Sequence, residues 1–434
     1  MFPRSRKGRV LVSLLAAAIL LTAATLAFFL IARNPADVSN SDVEFVRPDP
    51  TNLNTDKATE DFSWPFYGYD EARNHNFALA QPLRPTNKIR WSISSRVLLE
   101  FNPVAGGRSL FLLKNNGSFY AIDRSTGKVY WKTSLGALAA SSPAFVDGIA
   151  YCTILTSGRG SSNGRIVALD PAKHKVVWSR AISGRTESSP LVRNGVVYFG
   201  SENGTVYALA AKDGKKRWTY QAGGAVKGGV AYAHGKLFFG DYSGQVSAID
   251  ANSGKLRWRS GGGGALGIGD GQFYGTASVA FGRVYIGNTN SSVYSFSTKD
   301  GALAWRVSTG GYVYSAAAVA DVPKLGPTVF IGSYDGRLYA LDAKSGAVRW
   351  SRAAGGRISG GIQIIGDLVF YSTLEKKTAA LSLRSGRTIW SVRKGQFNPA
   401  ISDGKLLFLN SITALFAYET TTNGKLNSVP SKGR

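Results

Sequence analysis

The stretch SSPLVRNGVVYFGSENGTVYALAAKDGKKRW (188–218) contains four short runs that are typical of β-strands joined by tight turns. The first run is rich in small residues, and GVVYFGS and GTVYALA alternate in the manner of half-buried strands. The fourth run, KKRW, follows the turn AKDG. Asn194-Gly195 and Asn203-Gly204 mark two turns, and the second has the sequence of a type I′ hairpin. The stretch therefore predicts one antiparallel sheet of four strands.

This unit recurs along the chain. Its third strand has eight copies, at 117–123, 164–170, 204–210, 244–250, 291–297, 336–342, 377–382 and 413–419. Most copies are followed by a turn with glycine and by a strand that ends in tryptophan, namely Trp131, Trp178, Trp218, Trp258, Trp305, Trp350 and Trp390. These tryptophans are 40 to 47 residues apart. A period of ~40–50 residues with several strands per unit indicates an all-β, eight-bladed β-propeller.

Counting the strands predicts how the ring closes. Eight copies of the third strand are followed by only seven tryptophan strands, because the eighth copy leads into TTTNGKLNSV (420–429), which contains no tryptophan. A spare strand, NKIRW (87–91), precedes the first copy. We expect this strand to complete the last blade, with Trp91 beside residues 413–419, so that no open sheet edge remains.

Two segments precede the repeats. Residues 1–9 carry four cations, and residues 10–32 form an uncharged run of 23 residues, where ~20 suffice for a helix to cross a membrane. Residues 1–33 are therefore predicted as a cytoplasmic basic tip with an uncleaved transmembrane signal anchor; a cleaved signal peptide is the alternative. The protein is then a single-pass protein of the cytoplasmic membrane, and everything after Arg33 lies on the extracytoplasmic side. Residues 34–62, with three prolines and an acidic excess, are predicted to be a disordered stalk, and 63–434 the propeller.

The composition argues against several kinds of site. The one cysteine, Cys152, allows no intrachain disulfide and no cysteine metal cluster, and it is predicted to be buried in a strand. His75, His174 and His234 lack the spacing of a metal site, so no metal is predicted. The net charge of +25 favours an anionic partner, such as an envelope polymer or lipid headgroups. Nucleic acid is the least expected anionic partner, because the propeller is predicted to be exported. Simple solubility is the alternative explanation of the charge.

The repeats resemble those of the pyrroloquinoline-quinone (PQQ)-like β-propellers. Besides 188–218, the stretch SWPFYGYDEARNHNFALAQPLRPTNKIRW (63–91) is similar to the segment that precedes the first blade in that superfamily. The resemblance covers about 63–429. It implies that the tryptophan of one blade docks against the next blade, a role that falls here to Trp91, Trp131, Trp178, Trp218, Trp258, Trp305, Trp350 and Trp390.

The family divides by function. The resemblance implies that a dehydrogenase of this family would hold its quinone over the axis with a disulfide of adjacent cysteines, a calcium ion on acidic and Asn side chains, and an Asp base. This chain has a single cysteine and no such pair. The non-catalytic, BamB-like branch fits better, although here a predicted transmembrane anchor stands in place of a lipidated cysteine. We therefore predict no enzyme activity, no catalytic residues and no cofactor.

The residues that precede the small-residue strands predict a site at one mouth of the central channel. Residues two apart on a strand share a face, so two aligned columns should ring the same mouth. One column holds Glu100, Glu187, Lys227, Tyr314 and Gln396, and the other holds Arg185, Tyr312, Arg357 and Lys394. Such a mouth would suit a polar or anionic group. The alternative is a funnel of solvated charges that pair with each other.

These expectations give a function of limited detail. We predict a membrane-anchored extracytoplasmic propeller that acts as a non-catalytic scaffold or binding module for an envelope protein, an anionic envelope polymer or lipid headgroups. The alternatives are a PQQ-dependent dehydrogenase and a carbohydrate-binding or cell-wall-sensing module.

Overall fold

The chain folds into an all-β, eight-bladed propeller. The computed structural model describes residues 6–33, 36–47, 62–156, 158, 162–262, 271–423 and 425–426. Each blade is an antiparallel sheet of four strands, and the first strands of neighbouring blades contact one another around the axis. We call the strands a to d, from the axis outward.

The first four blades follow one another along the chain. Blade 1 comprises Val104–Gly106, Ser109–Leu113, Ser118–Asp123 and Val129–Ser134. Blade 2 comprises Ala144–Val146, Ile149–Ile154, Arg165–Asp170 and Lys175–Ala181. Blade 3 comprises Leu191–Arg193, Val196–Phe199, Thr205–Ala210 and Lys216–Gln221. Blade 4 comprises Ala231–Ala233, Lys236–Gly240, Gln245–Asp250 and Leu256–Gly261.

The last four blades complete the ring. Blade 5 comprises Ser278–Ala280, Arg283–Asn288, Ser292–Ser297 and Leu303–Ser308. Blade 6 comprises Ala318–Val322, Gly326–Gly332, Arg337–Asp342 and Val348–Ala353. Blade 7 comprises Gln363–Ile365, Leu368–Ser372, Thr378–Ser382 and Thr388–Val392. Blade 8 comprises Ile401–Ser402, Leu406–Asn410, Ala414–Thr422 and, as strand d, Leu83–Ser94, with a short strand Lys425–Leu426 at the end of strand c.

The N-terminal strand closes the ring as expected. Leu83–Ser94 pairs with Ala414–Thr422, and Trp91 stands opposite Ala417. The last blade is therefore built from both ends of the propeller sequence, which removes an open edge.

The type I′ prediction for the turn at Asn203-Gly204 is wrong, because a type I′ turn needs a positive φ at both residues and only Gly204 has one. At the other turn, Asn194 and Gly195 both have a positive φ, at 48° and 70°.

The tryptophans of strand d fix each blade to its neighbour. The Trp218 indole N–H donates to the Ala251 carbonyl of blade 4 at 3.2 Å. Gly254 of the same turn has φ +69°, and a Cβ there would lie 2.7 Å from the indole, so only glycine fits. The same donation to the next blade is made by Trp91, Trp178, Trp258, Trp305, Trp350 and Trp390. Trp131 differs, because it stacks on His174 with ring centroids 5.4 Å apart.

The segment before the propeller is only partly as predicted. A helix spans Arg6–Arg33. Among the residues that the structure describes, no helix is both long and apolar enough to span a bilayer. Membrane anchoring by this helix therefore stays a prediction.

Residues 36–47 correct the prediction of a disordered stalk. Val38–Ser39 pairs with strand d of blade 5, and Val43 is buried against that blade. Arg283 of blade 5 is buried and donates to the carbonyls of Val43 and Glu44. The segment is held because it completes the hydrogen bonding of an outer strand and of a buried guanidinium. Residues 34–35 and 48–61 of the predicted stalk lie outside the described residues.

Residues 63–77, which we call the axial plug, lie across one end of the axis. Ser63–Trp64 pairs with strand a of blade 1, and Asn76–Phe77 pairs with strand a of blade 7. Between these strands, plug carbonyls accept backbone hydrogen bonds from strand a of four further blades, with the donors Phe145, Tyr232, Val279 and Val319. One short segment thus binds six blades and closes that end of the channel.

Candidate functional site

A small cavity lies on the axis beside the plug. Its volume is about 70 Å³, which is room for roughly five water molecules at ~10–15 Å³ each. Its walls come from the residues that precede strand a of several blades, together with one plug residue. The lining includes Tyr67, Glu100, Phe101, Glu187, Lys227, Tyr274, Tyr314, Phe397 and Asn398.

An ion triad forms one side of the cavity. The Lys227 ammonium lies 3.0 Å from Glu187 Oε1 and 2.9 Å from Glu202 Oε1. Burial raises the pKa of Glu187. Burial also acts to raise the pKa of Glu202, but the hydrogen bond and charge of Lys227 outweigh it, so this pKa is lowered. The Tyr274 hydroxyl donates to Glu187 Oε2 at 3.3 Å. Lys227 is therefore held as the shared counter-ion of two carboxylates.

Glu100 stands apart from this triad. Its Oε2 accepts a hydrogen bond from the Asn115 amide at 3.1 Å. Among the described residues, no lysine or arginine lies within ion-pairing distance of its carboxylate. Burial raises the pKa of Glu100 and the charge of Glu187 adds to this effect, although the hydrogen bond from Asn115 and the charge of Lys227 act to lower it. The cavity therefore contains a carboxylate without a cation of its own.

Aromatic rings form the side of the cavity that faces blades 4 to 6. Tyr274 and Tyr314 make an edge-to-face contact with centroids 5.2 Å apart, and Tyr242 and Tyr334 extend the row at 5.9 and 4.9 Å. Tyr67 and Phe101 pack against each other at 6.0 Å. Their ring faces are weakly negative, so these walls favour a cation or an apolar group over an anion.

The plug supports the cavity from below. Tyr67 donates to Asn398 Oδ1 at 3.1 Å, and its ring packs edge-on against buried His75. Burial lowers the pKa of His75 to about 3, so the imidazole is neutral. Arg73 is fully buried, and its guanidinium donates to the carbonyls of Tyr67, Ser189, Pro190 and Val230. The floor is thus tied to blades 3, 4 and 8.

The first predicted column is mostly brought together. Glu100, Glu187, Lys227 and Tyr314 all line the cavity. Gln396 does not, because its amide donates to the Leu374 carbonyl at 3.1 Å.

The second column forms the outer rim. Arg185 pairs with Glu202 at 3.4 Å and Arg357 with Glu375 at 3.0 Å. Tyr312 is 52% exposed. The Lys394 ammonium lies 4.6 Å from the Phe416 ring centroid. None of these four residues lines the cavity, although each lies two positions before the first column.

The pairing of the mouth's cations bears on the expectation that the mouth suits a polar or anionic group. The cations that were expected to receive an anion, Arg185, Lys227 and Arg357, are each paired with a carboxylate. The remaining carboxylate of the cavity, Glu100, and the aromatic walls disfavour an anion.

Several lining residues escaped the sequence analysis. Tyr274 occupies the same place before blade 5 as Lys227 does before blade 4, but the glycine-rich run 261–271 obscured the alignment. The tripeptide Phe-Asn-Pro occurs at 101–103 and again at 397–399, and this repetition could have identified Phe101 and Asn398. Tyr67 gave no signal, because it comes from outside the repeats.

The residues of this axis do not fit a quinone centre. Cys152, the single cysteine, is buried in strand b of blade 2, and burial raises the pKa of its thiol. The position between Glu187 and Glu202, where carboxylates could hold a divalent cation, is taken by the Lys227 ammonium. In the described part of the chain, no cluster of three His, Cys, Asp or Glu side chains could hold a metal.

Comparison with known proteins agrees with this fold. A family model described as "Outer membrane protein assembly factor BamB" matches residues 79–159, 153–226 and 221–425. No curated protein sequence matches the chain.

Solved structures share the propeller at low sequence identity. BamB from Moraxella catarrhalis is 15% identical with a TM-score of 0.60, over 78% of this chain and 99% of that one. Quinohemoprotein alcohol dehydrogenase from Comamonas testosteroni is 14% identical with a TM-score of 0.66, over 89% and 84%. The alcohol dehydrogenase ADHIIG from Pseudomonas putida HK5 is 14% identical with a TM-score of 0.69, over 91% and 85%. At these identities the likeness concerns the fold alone.

Proposed function

Because the chain belongs to the family of the outer membrane protein assembly factor BamB, we propose that its propeller is a non-catalytic binding module for a protein of the cell envelope. The observation that carries the proposal is the extent of the family match, which runs from residue 79 to residue 425 and so takes in nearly the whole propeller. The cavity adds support for a non-catalytic role, because Lys227 pairs with both Glu187 and Glu202 and these charges largely neutralise one another.

Capture in cells tests this proposal. The tagged full-length chain is crosslinked in intact cells, purified, and its partners are identified by mass spectrometry. We expect the same envelope protein in independent captures, well above the level recovered with an unrelated tagged propeller. A parallel pulldown uses purified anionic wall polymer. Binding of the polymer, without capture of a protein in cells, would overturn the proposal and support polymer binding, to which the net charge of +25 is also suited.

A quinone-dependent dehydrogenase is the second candidate, since two of the similar structures are quinohemoprotein alcohol dehydrogenases. Incubation of the chain with PQQ and calcium, followed by gel filtration, separates the candidates. A binding module is expected to elute without the absorbance of the quinone. Retained quinone together with alcohol-dependent dye reduction would favour the dehydrogenase.

Membrane attachment through the helix Arg6–Arg33 is part of the same proposal. The uncharged run 10–32 supports it, as do Leu14, Leu20 and Leu21, whose exposed fractions are 63%, 70% and 72%. Arg306 of blade 5 donates to the Ala36 carbonyl, three residues after Arg33, and a chain extends by at most ~3.6 Å per residue. An anchored helix would therefore keep the outer edge of blade 5 close to the bilayer.

Fractionation tests the attachment. The full chain is expected to remain with membranes after carbonate extraction, and external protease is expected to reach its propeller in spheroplasts. A chain that lacks residues 1–33 serves as the matched control and should be released. Release of the full chain would refute anchoring without touching the binding proposal.

A further inference from the structure

The axial cavity combines negative charge with aromatic walls in a protein that is strongly basic overall. Of the two carboxylates that line the cavity, Glu187 shares Lys227 with the neighbouring Glu202, beside which Arg185 adds a second cation. Glu100 is left with a neutral hydrogen-bond donor, Asn115. The residual charge at the cavity is therefore negative, whereas the chain carries +25.

We propose that this cavity receives one basic side chain, a lysine or arginine that protrudes from the protein partner. The inference rests on the proposed binding function and names the chemistry of its site. The ammonium or guanidinium would pair with Glu100, and the rings of Tyr274, Tyr314 and Phe101 would enclose its alkyl stem.

The size and shape of the cavity fit such an occupant. A volume of about 70 Å³ admits the tip of a side chain but no folded element. The plug closes the far end, where Tyr67 contributes to the lining, so the occupant enters and leaves by one mouth. A partner that inserts a single side chain makes a central contact of the kind that dominates many interfaces.

The surface around the blades indicates what carries this side chain. Strand d and the turn before it expose lysines on blades 1 to 4, without an ion pair in the described structure, namely Lys128, Lys132, Lys175, Lys216 and Lys255. Such a surface slows the approach of a freely diffusing cation. An acidic protein face is attracted to the surface, and it can deliver one basic residue to the cavity.

Binding of a model side chain tests the cavity directly. Saturation-transfer NMR measures the binding of the probe Nα-acetyl-lysine methylamide to the full chain. Nα-acetyl-norleucine methylamide is the uncharged control. We expect the lysine probe to bind in preference, and Glu100→Gln to weaken it by about tenfold or more. Glu375→Gln, at the rim outside the cavity, should leave binding unchanged. Tyr314→Ala, which removes a wall without changing the charge, should weaken it as well.

Site-specific crosslinking tests the source of the side chain. A photoreactive residue at Ser359, which lines the cavity, is expected to label an envelope protein within a few residues of a lysine or arginine. Glu100→Gln should lower that yield and Glu375→Gln should not, with thermal unfolding used to verify that both variants are folded. Capture only at the outer strands, unaffected by Glu100→Gln, would overturn the inference and leave the proposed function intact. Probe binding without capture of any protein would assign the cavity to a small free cation and reject both.

Discussion

Arg73 Nε donates a hydrogen bond to the Val230 carbonyl at 3.1 Å, so a residue that precedes the first blade is fixed to the fourth. The same guanidinium binds carbonyls of Ser189 and Pro190 beside blade 3. The plug is therefore an integral part of the ring, and its contacts have measurable consequences for stability.

Replacing Arg73 is expected to destabilise the propeller strongly. Arg73→Met leaves several buried carbonyls without a donor, and each such loss costs about 1–3 kcal/mol, so the free energy of unfolding should fall by about 3 kcal/mol or more. Urea unfolding followed by tryptophan fluorescence measures the change. Arg108→Met, at an exposed position, is the matched control and should change the stability little. Equal stability of the two variants would show that the plug is not fixed by its guanidinium.

The closing strand should contribute as much as the internal blade contacts. Trp91 donates to the Arg124 carbonyl at 3.0 Å, just as Trp218 donates to Ala251. Trp91→Ala and Trp218→Ala are each expected to lower the free energy of unfolding by about 3–5 kcal/mol, because each loses a large ring, buried for Trp91 and partly buried for Trp218, that packs against the next blade. Calorimetry compares them. A much smaller effect for Trp91→Ala would mean that the ring closes without this strand.

Most of the fold could be read from the sequence because it repeats. The turns, the alternating strands and the tryptophans each recur, so the blade count and the pairing of 87–91 with 413–419 followed from arithmetic on the copies. The plug and residues 36–47 occur once, and their contacts are made by backbone atoms and by Arg73 and Arg283, which no periodic pattern marks. Four of the residues that line the cavity were found in the same way, through the aligned column, but the pairing of Lys227 with Glu202 requires the three-dimensional structure.

The ion triad should show strong coupling between its members. Lys227→Met leaves Glu187 and Glu202 without their shared cation, and we expect a loss of about 3 kcal/mol in the free energy of unfolding at pH 8. The double variant Lys227→Met, Glu187→Gln should recover part of this loss, because one of the unpaired charges is removed. Lys344→Met is the exposed control. Additive effects of the two substitutions would contradict the observed pairing.

The segment 36–47 should stabilise blade 5 independently of the helix. A chain that begins at residue 36 keeps the backbone contacts of Val43 and Glu44 with Arg283, and a chain that begins at residue 48 loses them. The second chain is expected to unfold more easily by about 2 kcal/mol, since buried donors lose their acceptors and Phe281 loses its cover. Thermal unfolding of both truncated chains measures the difference. Identical curves would restore the prediction of a stalk without contacts.

Acid should weaken the propeller through His75. Burial lowers the pKa of this imidazole to about 3 from 6.5, so between these values the unfolded chain binds a proton that the folded chain does not. Stability from this group is therefore complete above pH 6.5 and is lost as the pH falls, by about 3 kcal/mol at pH 4.5.

A matched pair of variants tests this effect. His75→Asn removes the titration and suits the positive φ of 52°, and His234→Asn, at φ 48° in an exposed turn, is its control. Burial raises the pKa of Asp70 to about 6, which acts in the opposite direction but is common to all the chains compared. Urea unfolding at pH 7 and pH 4.5 should show a smaller acid loss for His75→Asn than for the wild type and His234→Asn, and equal losses in all three would show that His75 is not responsible.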